Sequence, residues 1–397
     1  MTSKRIYLDH AATTPIDSRV KKAIDVKGDL LMNPSSIHRF GQEASAVLDE
    51  AREATSVAFG AGFQSAVFTS GATEANNLVL RGVVKAFYRS FRSDLMIPPR
   101  IVVSGIEHDS IIHTAKDLAE DGVEVAFIGA NKKGVVSARD ITAAINERTV
   151  LVSVMAVNNE TGAIQPIEEI GRIISQSREE KKSPYPIFHT DVAQSFRYFN
   201  CNLNEINADV ATVSGHKIGG PKGAGAVIIK PISGKYGFGK IIYPILTGGG
   251  QEFGMRSGTE NVAGIFGFGE AIKIAEKERA KNKKKVSDIK FFFWKELKKY
   301  FPKAQINGAE NLTAPHILNV WIPGNLSADI VMKCDLLGLA VSYGSACGAK
   351  SFKPSHALEA MGLSEKRIRE SVRVSFSPAN TLSEAKEGVR RIKKALI

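Results

Sequence analysis

Seven short apolar runs, at residues 66–69, 101–104, 123–128, 150–154, 187–190, 210–213 and 226–229, recur along the middle of this chain with helix-length segments between them. They are rich in Val and Ile, and each is too short to be an amphipathic helix. This alternation is the pattern of a mostly parallel sheet with helices on both faces, because parallel neighbours need a crossover to rejoin in the same direction. In such a sheet ligands bind outside the carboxyl ends of the strands. The residues directly after each run are therefore where chemistry is expected.

From about residue 264 the character changes. A helical pattern runs from 267 past a lysine cluster to 300; a strand at 317–321, a helix near 329–337 and a strand near 372–376 follow. The expected organisation is a large domain over residues 19–262 and a smaller α+β domain built from 1–18 and 263–397. Residues 92–100, with their Pro98-Pro99 pair, and 179–186 read as surface loops.

With 397 residues, the chain can bury a large core without covalent staples. Its 43% apolar and 24% charged residues exclude disorder, collagen and coiled coil. No apolar run approaches the ~18 residues of a membrane span, and the opening segment turns polar too soon for a secretory signal. Three cysteines, Cys201, Cys334 and Cys347, are an odd and sparse set. That argues against a disulfide framework and for a reducing, cytoplasmic setting. The net charge of +12 admits nucleic acid as a partner. But Lys277, Arg279, Lys281, Lys283, Lys284 and Lys285 fall within nine residues, and they read as a solvated helix face. Neither nucleic acid nor membrane is expected as a partner.

The strand exits carry the candidates. Ser70-Gly71-Ala72-Thr73-Glu74 follows the first run and opens a helix, where small residues and free N–H groups suit an anion; Thr73 as a plain helix cap is the alternative. The segment is neither a Walker A loop nor GxGxxG. Asp191, after the fifth run, suits a protonated ring nitrogen, with Gln194 near a ring oxygen; a helix cap is again the alternative. Lys217, in Ser214-Gly215-His216-Lys217, suits a Schiff base with an aldehyde whose phosphate Ser214 and His216 hold. His108 suits ring stacking or proton transfer, and Arg373 a bidentate grip on a carboxylate. Asn33, Ser35, Ser36 and His38 form an early polar cluster, and Asn158 to Gly162 follow the fourth run. Cys347 has small neighbours, so it is expected to be exposed and mobile, with Lys350 and Lys353 favouring its thiolate. Cys201 and Cys334 read as buried small hydrophobes. No histidine or cysteine spacing points to a metal.

Assembled in order, these segments resemble the cysteine desulfurases, pyridoxal 5′-phosphate enzymes of the class V aminotransferase group. The matching stretches are Tyr7 to Pro15, Asn33 to Ser36 with His38, Phe68 to Glu74, Glu107-His108, Val157 to Gly162, and Asp191 with Gln194-Ser195. Ser214 to Lys217, Gly220 to Gly223, Gly248 to Glu252, Met255 to Thr259 and Gly344 to Cys347 complete them.

The resemblance implies a fold-type I transferase, mostly parallel central sheet with helices on both faces, and a smaller α+β domain that carries the catalytic cysteine loop. It implies that Lys217 holds the cofactor, Asp191 pairs with its ring nitrogen, Gln194 meets its ring oxygen, and His108 stacks on the ring and moves protons. Ala72, Thr73, Ser214 and His216 would bind the phosphate, with Thr259 reaching across a homodimer to the neighbour's phosphate. Asn159, Arg373 and Asn33 would bind the substrate, L-cysteine, and Asn159 would also touch the cofactor. Cys347, in a long loop, would take its sulfur as a persulfide, leaving L-alanine. A sulfur acceptor, either an iron–sulfur scaffold or a tRNA-thiolation carrier, would receive it. A selenocysteine lyase or a related class V aminotransferase is the alternative.

Overall fold

The computed structural model describes residues 4–28, 32–90, 98–230, 241–310, 312–344 and 354–397. All seven apolar runs are strands of one sheet: β2 (Ala66–Thr69), β3 (Arg100–Ser104), β4 (Glu124–Ile128), β5 (Thr149–Ser153), β6 (Ile187–Asp191), β7 (Val210–Ser214) and β8 (Gly225–Ile229). Their order across the sheet is β2-β8-β7-β6-β5-β3-β4. The pairs from β7 to β4 are parallel; β8 alone runs against both its neighbours, β2 and β7.

Both faces of this sheet are covered. Phe68, Val102, Phe188, Ala211 and Ile228 point into one apolar core, shared with α2 (Arg39–Ala58). Their strand neighbours Val67, Val103, Ile187, Val210 and Val227 point into the other, under α3 (Ala72–Ser90) and α4 (Asp109–Glu120). The period of two explains why these strands read as unbroken apolar runs: both faces are dry. α5 (Ala138–Ala144) and α6 (Ile167–Lys181) complete the crossovers.

A third core belongs to the antiparallel strands β12-β10-β9, where β9 is Gln305–Ile306, β10 Ile317–Trp321 and β12 Ser371–Ser375. β1 (Ile6–Tyr7) and β11 (Leu339–Ala340) pair in parallel beside it. One helix, α7 (Val262–Tyr300), serves two cores. Its Val262 to Ala275 positions are in the first, and Val286, Ile289, Phe293 and Leu297 are in the third. Between these apolar stretches stands the lysine cluster, with Lys277, Lys281, Lys283, Lys284 and Lys285 exposed. The helix begins five residues before the expected 267, because the Asn261 side chain caps it by accepting from the Gly264 N–H. Likewise α6 runs on through residues 179–181, into the expected loop, and stops only where Lys182 turns left-handed. The remaining helices are α1 (Ser18–Val26), α8 (Ser327–Leu336), α9 (His356–Ala360), α10 (Glu365–Arg369) and α11 (Leu382–Leu396).

β2 is a sheet edge, and its outward backbone groups need partners. A buried ion pair supplies them. Arg52 on α2 binds Glu252 through both terminal nitrogens, at 2.7 and 2.8 Å. The same guanidinium donates to the Ala66 carbonyl at 2.6 Å, and Glu252 accepts from the Phe68 N–H at 2.8 Å. The charges thus replace a neighbouring strand. Removing one partner leaves a buried charge and an unpaired edge, so Glu252→Gln is expected to cost about 3–5 kcal/mol in chemical unfolding. The paired replacement Arg52→Met with Glu252→Gln should cost less than the sum of the two single changes.

Candidate active site

Five strand exits meet around a cavity of about 460 Å³. At the first, β2 ends in Ser70 and Gly71. Gly71 has φ 150°, and a β-carbon there would stand 3.7 Å from Ser214 Oγ. α3 begins at once with Ala72, so the unbonded N–H groups of its first turn start where Ala72 and Thr73 line the cavity. Thr73 is the helix's second residue rather than its cap. Glu74 accepts from the Ser70 N–H at 2.9 Å and binds Arg256 at 2.7 Å, which fixes the turn.

β7 delivers Ser214, and a short 3-10 turn then places His216 and Lys217. The Lys217 ammonium donates to the carbonyls of Ala11 and Ala12 at 2.6 and 2.8 Å. His216 Nδ1 stands 3.0 Å from Thr13 Oγ1. Burial, then the neighbouring Lys217 charge, pushes its pKa down to about 4, so it is neutral at physiological pH.

β6 delivers Asp191, buried, its Oδ1 accepting from the Ala193 N–H at 2.9 Å and its Oδ2 from the Asn76 amide at 3.0 Å. It therefore makes a local turn bond, but no helix follows it. Gln194 is held between the Ala11 carbonyl, to which its amide donates at 2.9 Å, and His316 Nε2 at 3.1 Å. His316 is itself stacked on Tyr198, ring centroids 4.4 Å apart.

β3 delivers Glu107 and His108. His108 caps α4, its Nδ1 accepting from the Ser110 N–H at 3.1 Å. Desolvation lowers its pKa, against the pull of Asp191. Glu107 is fully buried. Its Oε1 accepts from the Met155 N–H at 2.6 Å and from the Ser104 hydroxyl, while Oε2 has no hydrogen-bond partner among the described residues. Burial raises its pKa to about 8.

β5 leads into the loop 157–162. Asn158 ties this loop by accepting from the N–H groups of Glu160 and Thr161 at 3.0 and 2.8 Å, which leaves Asn159 on the cavity wall. Arg373, from β12, closes the site. Only 1% exposed, it donates to the Asn159 carbonyl at 3.0 Å and to Asp9 at 2.8 Å, and its Nε has no partner among the described residues.

The cavity thus gathers Ala72, Thr73, His108, Asn159, Asp191, Gln194, Ser214, His216, Lys217 and Arg373. It does not gather Asn33 or Thr259, both exposed; the Asn33 side chain accepts from the Ser35 N–H in a turn ahead of α2. Cys347, with Lys350 and Lys353, lies outside the described residues. Cys201 and Cys334 are buried, and burial raises their thiols to about 11 and about 12. Residue types alone did not single out Asn76 or His316 for the site, nor Asp9 or Glu107 for a role in it. An Asp or Glu at a strand exit or next to a candidate histidine is the signal that could have found the last two. Among the described residues no group of three or more His, Cys, Asp or Glu side chains could hold a metal ion.

An amine, a carboxylate, hydroxyls and helix N–H groups around one cavity make a donor set for an anionic, aldehyde-bearing heterocycle. Comparison with known proteins points the same way. The family model described as Aminotransferase class-V matches residues 6–387. The chain is 38% identical over 392 residues to "Putative cysteine desulfurase IscS 1" of Bacillus subtilis, covering 98% of each. It is 35% identical to "Cysteine desulfurase IscS" of Dictyoglomus turgidum, over 94% of this chain and 90% of the relative. A solved structure titled "NIFS-LIKE PROTEIN" superposes with a TM-score of 0.88 at 31% identity, over 99% of both chains.

The buried Glu107 makes stability depend on pH. Its carboxyl ionises at about 8 in the folded chain against an ordinary 4.5. Between those values the folded state holds a proton that the unfolded state has released, so this contribution is full below 4.5 and is lost as pH rises through 8. Unfolding midpoints at about pH 6 and about pH 9 should therefore fall with pH in the wild type. In Glu107→Gln, which mimics the protonated acid, they should fall less.

Proposed function

Because the chain belongs to the class-V aminotransferase family, we propose that it is a pyridoxal 5′-phosphate-dependent cysteine desulfurase. It takes sulfur from L-cysteine, releases L-alanine and passes the sulfur on from Cys347. The observation that carries this reading is that the Lys217 amine, the buried Asp191 carboxylate and the start of α3 open on one cavity.

The residues present fit the cofactor. Gly71 leaves room beside Ser214 for an anion, and Thr73, Ser214 and neutral His216, with the N–H groups at Ala72 and Thr73, would hold its phosphate. Lys217 would attach it covalently, Asp191 would pair with its ring nitrogen, Gln194 would meet its ring oxygen, and His108 would cover one face. When bound, the group supplies an electron-poor ring that draws electrons from the bonds around the substrate's amino carbon.

The chain's own residues do the rest. The two backbone carbonyls at Ala11 and Ala12 hold the Lys217 ammonium at one place until it is engaged. Arg373 and Asn159 receive the substrate carboxylate, with Asp9 keeping the guanidinium paired until then. The Cys347 thiolate attacks the substrate sulfur: an S–S bond forms, the C–S bond breaks, and its electron pair is left on the carbon, which takes up a proton to become the methyl of alanine. Cys347 lies five residues past Ser342, whose carbonyl accepts from the Arg373 N–H at 2.6 Å.

In this reading a second copy of the chain completes the site. Asn33 and Thr259 are exposed, and the apolar residues near them, Ile37 at 93%, Phe40 at 59% and Phe253 at 51%, are exposed too. A homodimer would cover them and bring Thr259 to the neighbour's phosphate. The acceptor of the sulfur is an iron–sulfur scaffold or a tRNA-thiolation carrier, in the cytoplasm. No described helix is long and apolar enough to cross a membrane.

Borohydride treatment of the loaded wild type should leave the cofactor's mass on Lys217, and Lys217→Ala should retain none. After exposure to L-cysteine, mass spectrometry should find one added sulfur on Cys347 and none on Cys201 or Cys334. Cys347→Ala should still bind cysteine but release sulfide at least about a thousandfold more slowly. Sulfide release by Cys347→Ala at the wild-type rate would make direct elimination, without a persulfide, the correct reading.

A further inference from the structure

Behind the cavity wall lies a chain of buried polar groups. Asn76, one turn into α3, is fully buried, and its amide reaches three elements. Nδ2 lies 3.0 Å from Asp191 Oδ2 and 2.9 Å from Ser110 Oγ, and Oδ1 lies 2.6 Å from Thr212 Oγ1.

Chemistry fixes the direction of every bond. An ionised Asp191 can only accept, so Asn76 presents its NH₂ to the carboxylate and its oxygen to Thr212, and Thr212 donates. That leaves Thr212 lone pairs facing His189 Nε2 at 3.4 Å. Nε2 therefore carries the ring proton, and His189 Nδ1 accepts from the Ser153 hydroxyl at 2.9 Å. Burial pushes His189 down to about 3, which keeps it neutral. On the other branch, the second Asn76 N–H goes to Ser110 Oγ. The Ser110 hydroxyl is then left to donate to His108 Nδ1 at 2.9 Å, the nitrogen that already accepts the Ser110 backbone N–H. From Ser153 through His189, Thr212 and Asn76, all donors point toward Asp191 and His108, and both of these line the cavity.

We propose that Asn76 is a positioning residue that holds Asp191 as an ionised acceptor and His108 with Nδ1 unprotonated, and so sets the cavity's affinity for a cofactor whose ring nitrogen carries a proton. The inference rests on the pyridoxal 5′-phosphate reading given above. The titratable groups around the unit are Glu107 and His108 on the β3–α4 turn, His189 on β6 and Lys217 after β7, with Asp109 and His356 acting on His108. If the side chain at position 76 only filled space, exchanging its amide for an acid would not make cofactor affinity depend on pH.

The test compares wild type, Asn76→Ala and Asn76→Asp as full chains stripped of cofactor and titrated with pyridoxal 5′-phosphate, read by absorbance. Circular dichroism checks folding at each pH. Asn76→Asp sets a second carboxylate about 3 Å from Asp191, and two carboxylates that close share one proton. With that proton on the introduced acid, its O–H donates as the amide did; once it is lost, the two charges repel. Asn76→Asp should therefore bind nearly as well as wild type at about pH 5.5 and weaken roughly 10- to 100-fold by about pH 8.5, the worth of a hydrogen bond to a charge. Wild type should hold its affinity across that range, and Asn76→Ala should be weak throughout. The comparison within Asn76→Asp carries the test even if Asn76→Ala does not fold. Equal affinity in all three chains, or a loss in Asn76→Asp that does not change with pH, overturns the inference. A wild type that takes up no cofactor overturns the functional reading, and this inference with it.

Discussion

Three strand ends meet at Gly225, and the site depends on how closely they do so. β8 runs antiparallel between β2 and β7, with Thr69 and Ser214 both in register with Gly225. A β-carbon at Gly225 would lie 2.6 Å from the Val213 carbonyl oxygen and 2.8 Å from the Gly71 α-carbon. Neither backbone atom can swing aside as the tip of a long side chain can. The missing side chain therefore lets the turn at Ser70-Gly71 lie against the exit of β7. That contact puts the first turn of α3 beside Ser214, and with it His216 and Lys217. In a wholly parallel sheet these two exits would be separated by a strand whose own exit pointed the same way. The single reversed strand removes that competitor from the cavity.

The second constraint is charge in a dry interior. A buried guanidinium is tolerable only when paired, and Arg373 meets this with Asp9 and the Asn159 carbonyl. The N-terminal segment is the other party at Arg373 and Lys217, and it also meets His216. Asp9 pairs with Arg373, Ala11 and Ala12 accept from Lys217, Thr13 meets His216, and the Thr14 N–H donates to the His216 carbonyl at 2.9 Å. Residues 9–14 are thus a polar strap that lies across the mouths of β7 and β12. This gives the opening Asp9-His10-Ala11-Ala12-Thr13-Thr14 a physical meaning: small side chains let its backbone carbonyls come within 3 Å of an ammonium.

The sheet was legible in the sequence because both its faces are dry. Seven runs of Val, Ile, Ala and Phe had no other economical use, and every one is a strand. The strand-exit rule pointed to Thr73, His108, Asp191, Ser214 and Lys217, since each lies within a few residues of a run's end, and all five line the cavity. What the sequence hid is what the fold brings in from elsewhere. Asn76 sits on a helix where an amphipathic pattern offers no sign that one polar residue faces inward, toward three partners 34, 115 and 136 residues away. His316 precedes a strand of the other core, and nothing local ties it to Gln194, 122 residues distant. The start of α7 lies ahead of its apparent position in the sequence for a smaller reason. Gly264, Gly267 and Gly269 weaken the helical signal, yet Gly269 is needed because a β-carbon there would meet Ala51 at 2.8 Å. Close packing of α7 on α2 outweighed propensity.

The same long-range ties frame the segment that carries Cys347. At its start, Ser342 exchanges two backbone hydrogen bonds with Arg373, at 2.6 and 3.0 Å. At its end, the Ser355 hydroxyl donates to Glu160 at 2.6 Å and caps α9. Glu160 is itself buried beside Asn159, and the Asn319 amide on β10 holds its carbonyl at 3.1 Å. Both ends of the segment are therefore fastened to the two elements, β12 and the 157–162 loop, that supply Arg373 and Asn159 to the cavity. The residues proposed to receive a substrate carboxylate and the anchors of the proposed nucleophile are thus the same pieces of backbone. A substitution that shifts β12 or the 157–162 loop would disturb both at once.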